Sequence, residues 1–338
     1  MAVSAMPVAV ALLLCAVLAL AALGGAGAQA QQLSPAYYDG SCPHVYDTVR
    51  RVIQEARAAD PRILASLLRL HFHDCFVNGC DGSLLLDETP TMRSEKAAGP
   101  NNGSARGFPV VDDIKAALEN ACPGVVSCAD ILALAAEISV ELAGGPYWRV
   151  MLGRRDGMAA NFDGAQDLPN PKETLGELKQ KFADLGLDDT DFVALQGAHT
   201  FGRARCESIQ DRLYNFSNTE RQDPTLDQAY LAALRERCPA AASDSSERLN
   251  DLDPTTPDTF DNHYYANIQA NRGLLRSDQA MLSAPEEGAE STAPVVGRFA
   301  NSQAEFFQSF ATAMIKMGNI APLTGQIGEV RRNCRVVN

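Results

Sequence analysis

Nine cysteines are spread along the 338 residues, and all but Cys15 lie downstream of an apolar leader. Residues 8–23 form an almost unbroken apolar run, followed by the small-residue pattern A-Q-A at 28–30. This reads as a secretory signal peptide over 1–30, with the working chain starting near Gln31. The run is short for a membrane span, and nothing downstream approaches about 18 consecutive apolar residues. Cys42, Cys75, Cys80, Cys122, Cys128, Cys206, Cys238 and Cys334 remain. An even count in an exported chain implies four disulfides, but spacing alone leaves on the order of 100 pairings open. No C-x-x-C occurs, so a zinc ribbon is not indicated.

The formal charge of −13 lies wholly beyond the leader, which carries no Asp, Glu, Lys or Arg. Such an acidic surface argues against nucleic acid or anionic lipid as a partner and is compatible with bound cations. Roughly 300 residues suffice for one large domain, taken here as 31–338. Helical periodicity dominates it. In 127–142, Ile131, Leu134, Ala135, Ile138 and Leu142 share one face, and in 298–317 Phe299, Phe306, Phe310, Met314 and Met317 do the same. Further helices are predicted at 44–58, 61–75 (with Pro61 in the first turn), 107–121, 174–185, 190–196, 227–237 and 258–270. A brief strand is predicted at 148–152. The stretches 79–104, 143–173, 239–257 and 283–296 read as loops, with surface insertions at 240–248 and 283–293. The fold class is mainly α.

The sharpest segment is RLHFHDCFVNGCDGS at 69–83. Arg69 and His73 are four apart and share a helix face. An imidazole can take a proton from an incoming hydroperoxide while a guanidinium stabilises charge on the departing oxygen. Taken alone, the same pair also fits a surface His beside a salt-bridging Arg. His71 points elsewhere and reads as structural. Asp74, Asp81 and Ser83, with the carbonyls of Val77 and Gly79, surround a loop bounded by Cys75 and Cys80. Hard oxygen donors there suit calcium, and equally an ordinary acidic turn. His199, in QGAHTFG at 196–202, sits where a helix breaks. Asp253, Thr256 and Asp261 form a second oxygen-rich group that lacks the Gly and closing Glu of an EF-hand.

Together these segments resemble the secretory plant-type (class III) haem peroxidases. RLHFHDCFVNGCDGS, NGSARGF, SCADILALA, GRRDG, LPNP, GAHTFGRARC, FDNHYY and SDQ occur in that family's order, from QLSPAYYDGSCP at 32–43 to NCRVVN at 333–338. The resemblance implies a haem-peroxidase fold of about ten helices around a buried, non-covalent haem b. It implies reduction of hydrogen peroxide to water, with one-electron oxidation of phenolic or other small organic donors through an oxyferryl intermediate. It also implies a monomer with no membrane partner, located in the extracellular space or cell wall, and a place in oxidative-stress and lignin chemistry.

Carried onto this chain, the resemblance makes His73 the distal acid–base and Arg69 its charge-stabilising partner. Asn101 would accept a hydrogen bond from the His73 ring, with Glu95 behind it, and Phe72 would pack over the haem edge. His199 would be the axial iron ligand, Asp278 its carboxylate partner, and Pro169 part of the donor site. One calcium would take Asp74, Val77, Gly79, Asp81 and Ser83. The other would take Thr200, Asp253, Thr256 and Asp261, with a backbone oxygen near Thr259. The implied disulfides are Cys42–Cys122, Cys75–Cys80, Cys128–Cys334 and Cys206–Cys238.

At the donor entrance, Ala98, Lys172, Glu173 and Ser208 stand where some relatives carry phenylalanine, which predicts a more polar, acidic mouth. Asn215 heads a sequon on a predicted surface loop, and Asn102 heads another. A catalytically dead wall protein would lack one of Arg69, His73, His199 and Asp278, and a secreted hydrolase would need G-x-S-x-G or H-E-x-x-H. All four residues are present and neither motif is.

Overall fold

The computed structural model describes residues 32–240, 246–282 and 288–338. Helix α1 (Val45–Ala59) turns Val45, Val49, Val52 and Ile53 inward. It is followed by α2 (Ile63–Cys75), α3 (Phe108–Ala121) and α4 (Cys128–Leu142). The short α5 (Phe162–Gln166) leads to α6 (Leu175–Asp184) and α7 (Asp189–Gln196), both started by capping boxes. Then come α8 (Gln210–Tyr214), α9 (Gln228–Arg237), α10 (His263–Gln269), α11 (Arg276–Ala280), α12 (Ala289–Asn301) and α13 (Gln303–Gly318). These thirteen α-helices among the described residues exceed the ten expected because several are single five-residue turns.

Helix α4 is the axle. It is buried from Cys128 to Val140 on every side, so its apolar stripe is only part of what it hides. Its largest interface is with α2. Ser127 caps it by accepting from the Asp130 amide at 3.1 Å.

Several sequence expectations are corrected. The periodic stretch 298–317 is two helices, because Ser302 is extended and caps α13 by accepting from Glu305 N at 3.2 Å. The apolar face survives the break, since Phe299, Phe306, Phe310, Met314 and Met317 are all buried. The helix expected at 258–270 starts only at His263, because Asp253 and Asp261 hold the preceding chain in turns. Pro61 lies in a turn before α2, where Asp60 accepts from Arg62 N at 3.0 Å. No strand forms at 148–152 because Leu152 pairs only with Ser34, as an isolated bridge. The antiparallel ribbon is instead β1 (Arg203–Arg205) with β2 (Leu249–Asp251), Arg203 opposite Asp251. Within the two expected insertions, 241–245 and 283–287 lie outside the described residues. Ala289 and Thr292 are buried in α12 rather than solvated.

All four disulfides implied by the resemblance are formed: Cys42–Cys122, Cys75–Cys80, Cys128–Cys334 and Cys206–Cys238. Two buried ion pairs join them in holding the frame. Asp130 accepts from Tyr38 OH and Gly153 N, each at 2.7 Å, and from Arg154 Nη1 at 2.8 Å. Arg154 also donates to the Gly318 and Met151 carbonyls. Asp156 accepts from Ala129 N and Arg331 N, both at 2.9 Å, while Arg331 donates to the Gly82 and Cys334 carbonyls.

His71 is structural, as expected. It is buried against Cys75 Sγ, 3.6 Å away, and that sulfur is committed to a disulfide and cannot ligate a metal. Burial, and then the Arg154 charge, push its pKa from 6.5 down to about 3.

Two predictions follow from these buried groups. Asp130→Ala leaves the Arg154 guanidinium buried without its carboxylate and should cost about 3–5 kcal/mol. Urea unfolding at neutral pH measures it, and a loss under about 1 kcal/mol would show that the pair does not hold the frame. Between pH 6.5 and about 3, the unfolded chain binds a proton at His71 that the native chain does not. Through this residue, native stability therefore falls as pH falls, by about 1.4 kcal/mol per pH unit. His71→Leu should make the acid limb of stability shallower by about one proton, and an unchanged slope would refute the assignment.

Candidate active site

Arg69 and His73 project from adjacent turns of α2. Asn101 donates through Nδ2 to the Glu95 carbonyl at 2.8 Å, which turns its Oδ1 toward His73 Nδ1 at 2.5 Å. An amide oxygen can only accept, so His73 carries its proton on Nδ1 and keeps the Nε2 lone pair. Arg69 Nε donates to that nitrogen at 3.1 Å, and its Nη2 donates to the Pro100 carbonyl and to Ser104 Oγ. Burial, then the neighbouring Arg69 charge, hold the His73 pKa well below its usual value, although the Asn101 bond opposes them. Burial and Arg205 bring Arg69 down to about 10, so it remains a cation at neutral pH while His73 is a neutral base. Phe72 is half-buried and meets His73 edge-on, with ring centroids 5.2 Å apart.

His199 lies in the single turn Gly197–Thr200 that follows α7. A side chain at Gly197 would collide with the Tyr265 hydroxyl and the Phe306 ring, which explains the glycine there. Gly202 has φ +97, and a Cβ on it would lie 3.0 Å from that of Ala65, so this segment rests against α2. His199 Nδ1 is 2.8 Å from Oδ1 of the fully buried Asp278, leaving Nε2 uncommitted. Asp278 also accepts from Tyr264 OH at 2.9 Å and from Leu275 N at 2.8 Å. Burial and the Asp278 charge raise Tyr264 well above the usual phenol range, so it stays a donor. The buried Arg212–Asp223 pair fixes this corner, Arg212 donating to the carbonyls of Gly273, Leu274 and Leu275.

Asp74 and Asp81 of the first predicted oxygen cluster are buried within reach of one another's charge. Asp74 Oδ1 and Ser83 Oγ are buried without a hydrogen-bond partner, as is Glu95 Oε2. Burial, then the Asp81 charge, push the Asp74 carboxyl well up, and burial raises Asp81. In the second cluster Thr256 Oγ1 is 3.1 Å and Thr200 Oγ1 3.4 Å from Asp261 Oδ1, with Asp253 buried alongside. Pro169 is half-buried on the segment between α5 and α6, where the Pro171 carbonyl accepts from Ser277 N at 3.2 Å.

The donor mouth is corrected in two respects. Ala98 is wholly buried and lines no entrance, and the Glu173 charge is matched by Lys181 at 2.6 Å. Asn102 and Asn215 are both exposed. The residue reading missed a cluster of guanidinium groups between α2 and β1. Arg62 is half-buried with no carboxylate partner among the described residues, and burial, then Arg106 and, more weakly, Arg203, lower its pKa. Arg106 Nη1 is likewise buried and unpaired. Nothing in the spacing of these arginines marks them, because 62, 106 and 203 converge only through the tertiary fold.

The sequence matches the peroxidase family over residues 49–302. It is 58% identical to Peroxidase 15 of Ipomoea batatas, covering 91% of this chain and 93% of that one. It is 54% identical to Peroxidase 54 of Arabidopsis thaliana (92% and 86%) and 55% identical to Peroxidase C2 of Armoracia rusticana (91% and 88%). Matched over more than nine-tenths of its length to plant enzymes, the chain belongs to the peroxidase family, as a class III haem enzyme that uses hydrogen peroxide.

Proposed function

We propose that this enzyme oxidises phenolic and similar small donors one electron at a time, with His73 and Arg69 working on the peroxide and His199 holding a haem b. The observation that carries the reading is the fixed tautomer at His73: a neutral buried imidazole, its Nδ1–H given to Asn101, its Nε2 facing a guanidinium. His73 Nε2 accepts the proton of the arriving hydroperoxide and passes it to the departing oxygen, and Arg69 donates to the charge that develops there.

The residues present fit a haem. His199 would offer Nε2 as ligand while Asp278 accepts a hydrogen bond from its Nδ1–H, which makes the imidazole more electron-donating. The unpaired Arg62 and the Arg106 edge beside it suit the two propionates that a haem b carries. When bound, the haem supplies the redox equivalents for breaking the O–O bond and oxidising the donor. Phe72 would narrow the approach to it, and Pro169 would help to hold a donor.

The orphaned Asp74 and Ser83 oxygens support calcium at Asp74, Val77, Gly79, Asp81 and Ser83. The converging oxygens of Thr200, Asp253, Thr256 and Asp261 support a second ion. Four disulfides support secretion to the extracellular space or wall, where we read the chain as a monomer.

His73→Leu should lower kcat/KM for hydrogen peroxide by about 10²–10⁴-fold with haem loading unchanged in the visible spectrum. A loss under tenfold would remove His73 as the base. Chelation with EGTA should lower the thermal midpoint of the holoenzyme and calcium should restore it. The drop should be smaller in Asp74→Asn, which has already lost one charged ligand. A midpoint indifferent to EGTA would overturn both ion sites.

A further inference from the structure

An open groove of about 740 Å3 lies between residues 89–93, 158–163 and 335–337. None of the residues assigned above to peroxide, haem, donor or calcium lines it. Its volume is that of a small-molecule site, within about 300–1,000 Å3. Its surface is mixed. Met92, Met158, Phe162 and Val336 are apolar, and Met158 is 61% exposed, an unusual position for a large apolar side chain.

One cation is poised there. The Arg93 guanidinium lies 3.4 Å from the centroid of the Phe162 ring, and it has no carboxylate or hydrogen-bond partner among the described residues. In a chain of net charge −13, a surface arginine held over an aromatic ring with its N–H groups unpaired among the described residues is prepared for an anion. The other arginine of the groove, Arg335, is already committed to Asp112 and Asp87. Asp163, the one carboxylate in the lining, makes no ion pair with Arg93.

The groove is also wired to the active site. Asn161, in its wall, donates from its backbone N–H to Glu95 Oε1 at 2.8 Å. The Glu95 carbonyl holds Asn101, and Asn101 holds His73. Ala160 N donates to Met92 Sδ at 3.3 Å, so the two sides of the groove are joined at the same point.

We propose that this groove is an effector site for a small aromatic carboxylate, whose carboxylate meets Arg93 and whose ring packs on the methionines and Phe162. Its occupancy shifts Asn161 and so alters the peroxide step at His73. The second half of this inference rests on His73 as the base; the binding itself does not.

The test uses calcium-loaded holoenzyme and 4-methoxycinnamate, an aromatic acid whose phenol is blocked so that it cannot serve as a donor. Calorimetry reads binding, and the Soret band separately reports any binding beside the haem. Arg93→Gln should weaken the calorimetric binding about tenfold or more without changing the Soret titration. Ala159→Trp, at an exposed position of the wall, should block it by filling the groove. Equal binding by Arg93→Gln, or by the methyl ester of the acid to the wild type, would overturn the site. Saturating ligand should change the rate of peroxide consumption by about two- to tenfold in the wild type and not in Arg93→Gln. A wild-type rate that ignores bound ligand would overturn the relay. If His73→Leu spares the peroxide reaction while the acid still binds, the role given to His73 is what has failed.

Discussion

The Asp130 carboxylate is the point on which the distal half of the molecule hangs. Burying it beside Arg154 costs both groups their hydration, and such a pair is tolerable only when every polar atom is matched. Here the matching partners come from three separate stretches of chain: Tyr38 near the start, Gly153 and Arg154 in the middle, and Gly318 at the end of α13. Asp130 also sits in the first turn of α4, where the exposed amides favour a negative charge. Fixing α4 fixes α2 across their shared interface, and α2 carries Arg69 and His73. The geometry of the base is therefore set two layers away from it.

The proximal half repeats the device with other residues. Arg212 and Asp223 are buried together, and Arg212 spends three donations on consecutive carbonyls just before α11. Those bonds present Leu275 N and Asp278 to one another and aim the carboxylate at His199. Each histidine is thus oriented by an uncharged or anionic acceptor that is itself held by backbone. The two acceptors differ in kind. The neutral amide of Asn101 leaves His73 free to gain and lose a proton, whereas the Asp278 carboxylate pulls on the His199 N–H and enriches the ring. On the proposed reading, two imidazoles acquire different chemistry from the choice of an amide or a carboxylate at one position.

Most of the helical frame was readable because amphipathic spacing and capping residues are local signals. Sequence motifs also announced Arg69, His73, His199 and both acidic loops. What could not be read was whatever depends on two distant segments meeting. The 298–317 helix looked continuous because its apolar face is continuous, while the break depends on the backbone of Ser302. The ribbon of β1 and β2 is three residues long on each side, too short to show alternation. Ala98 is placed at the donor entrance only by its correspondence to phenylalanine in some relatives, and it is interior. Arg62, Arg106 and Arg203 carry no mark of their convergence.

Cys128 and Cys334 are 206 residues apart, and Asp156 waits for Arg331 across 175. At a synthesis rate of about 5–20 residues per second, the axle helix emerges roughly 10–40 s before the segment that locks it. During that interval Cys128 lacks its disulfide partner and Asp156 lacks Arg331. The frame of this protein therefore closes only once its last-made segment, residues 331–334, is in place.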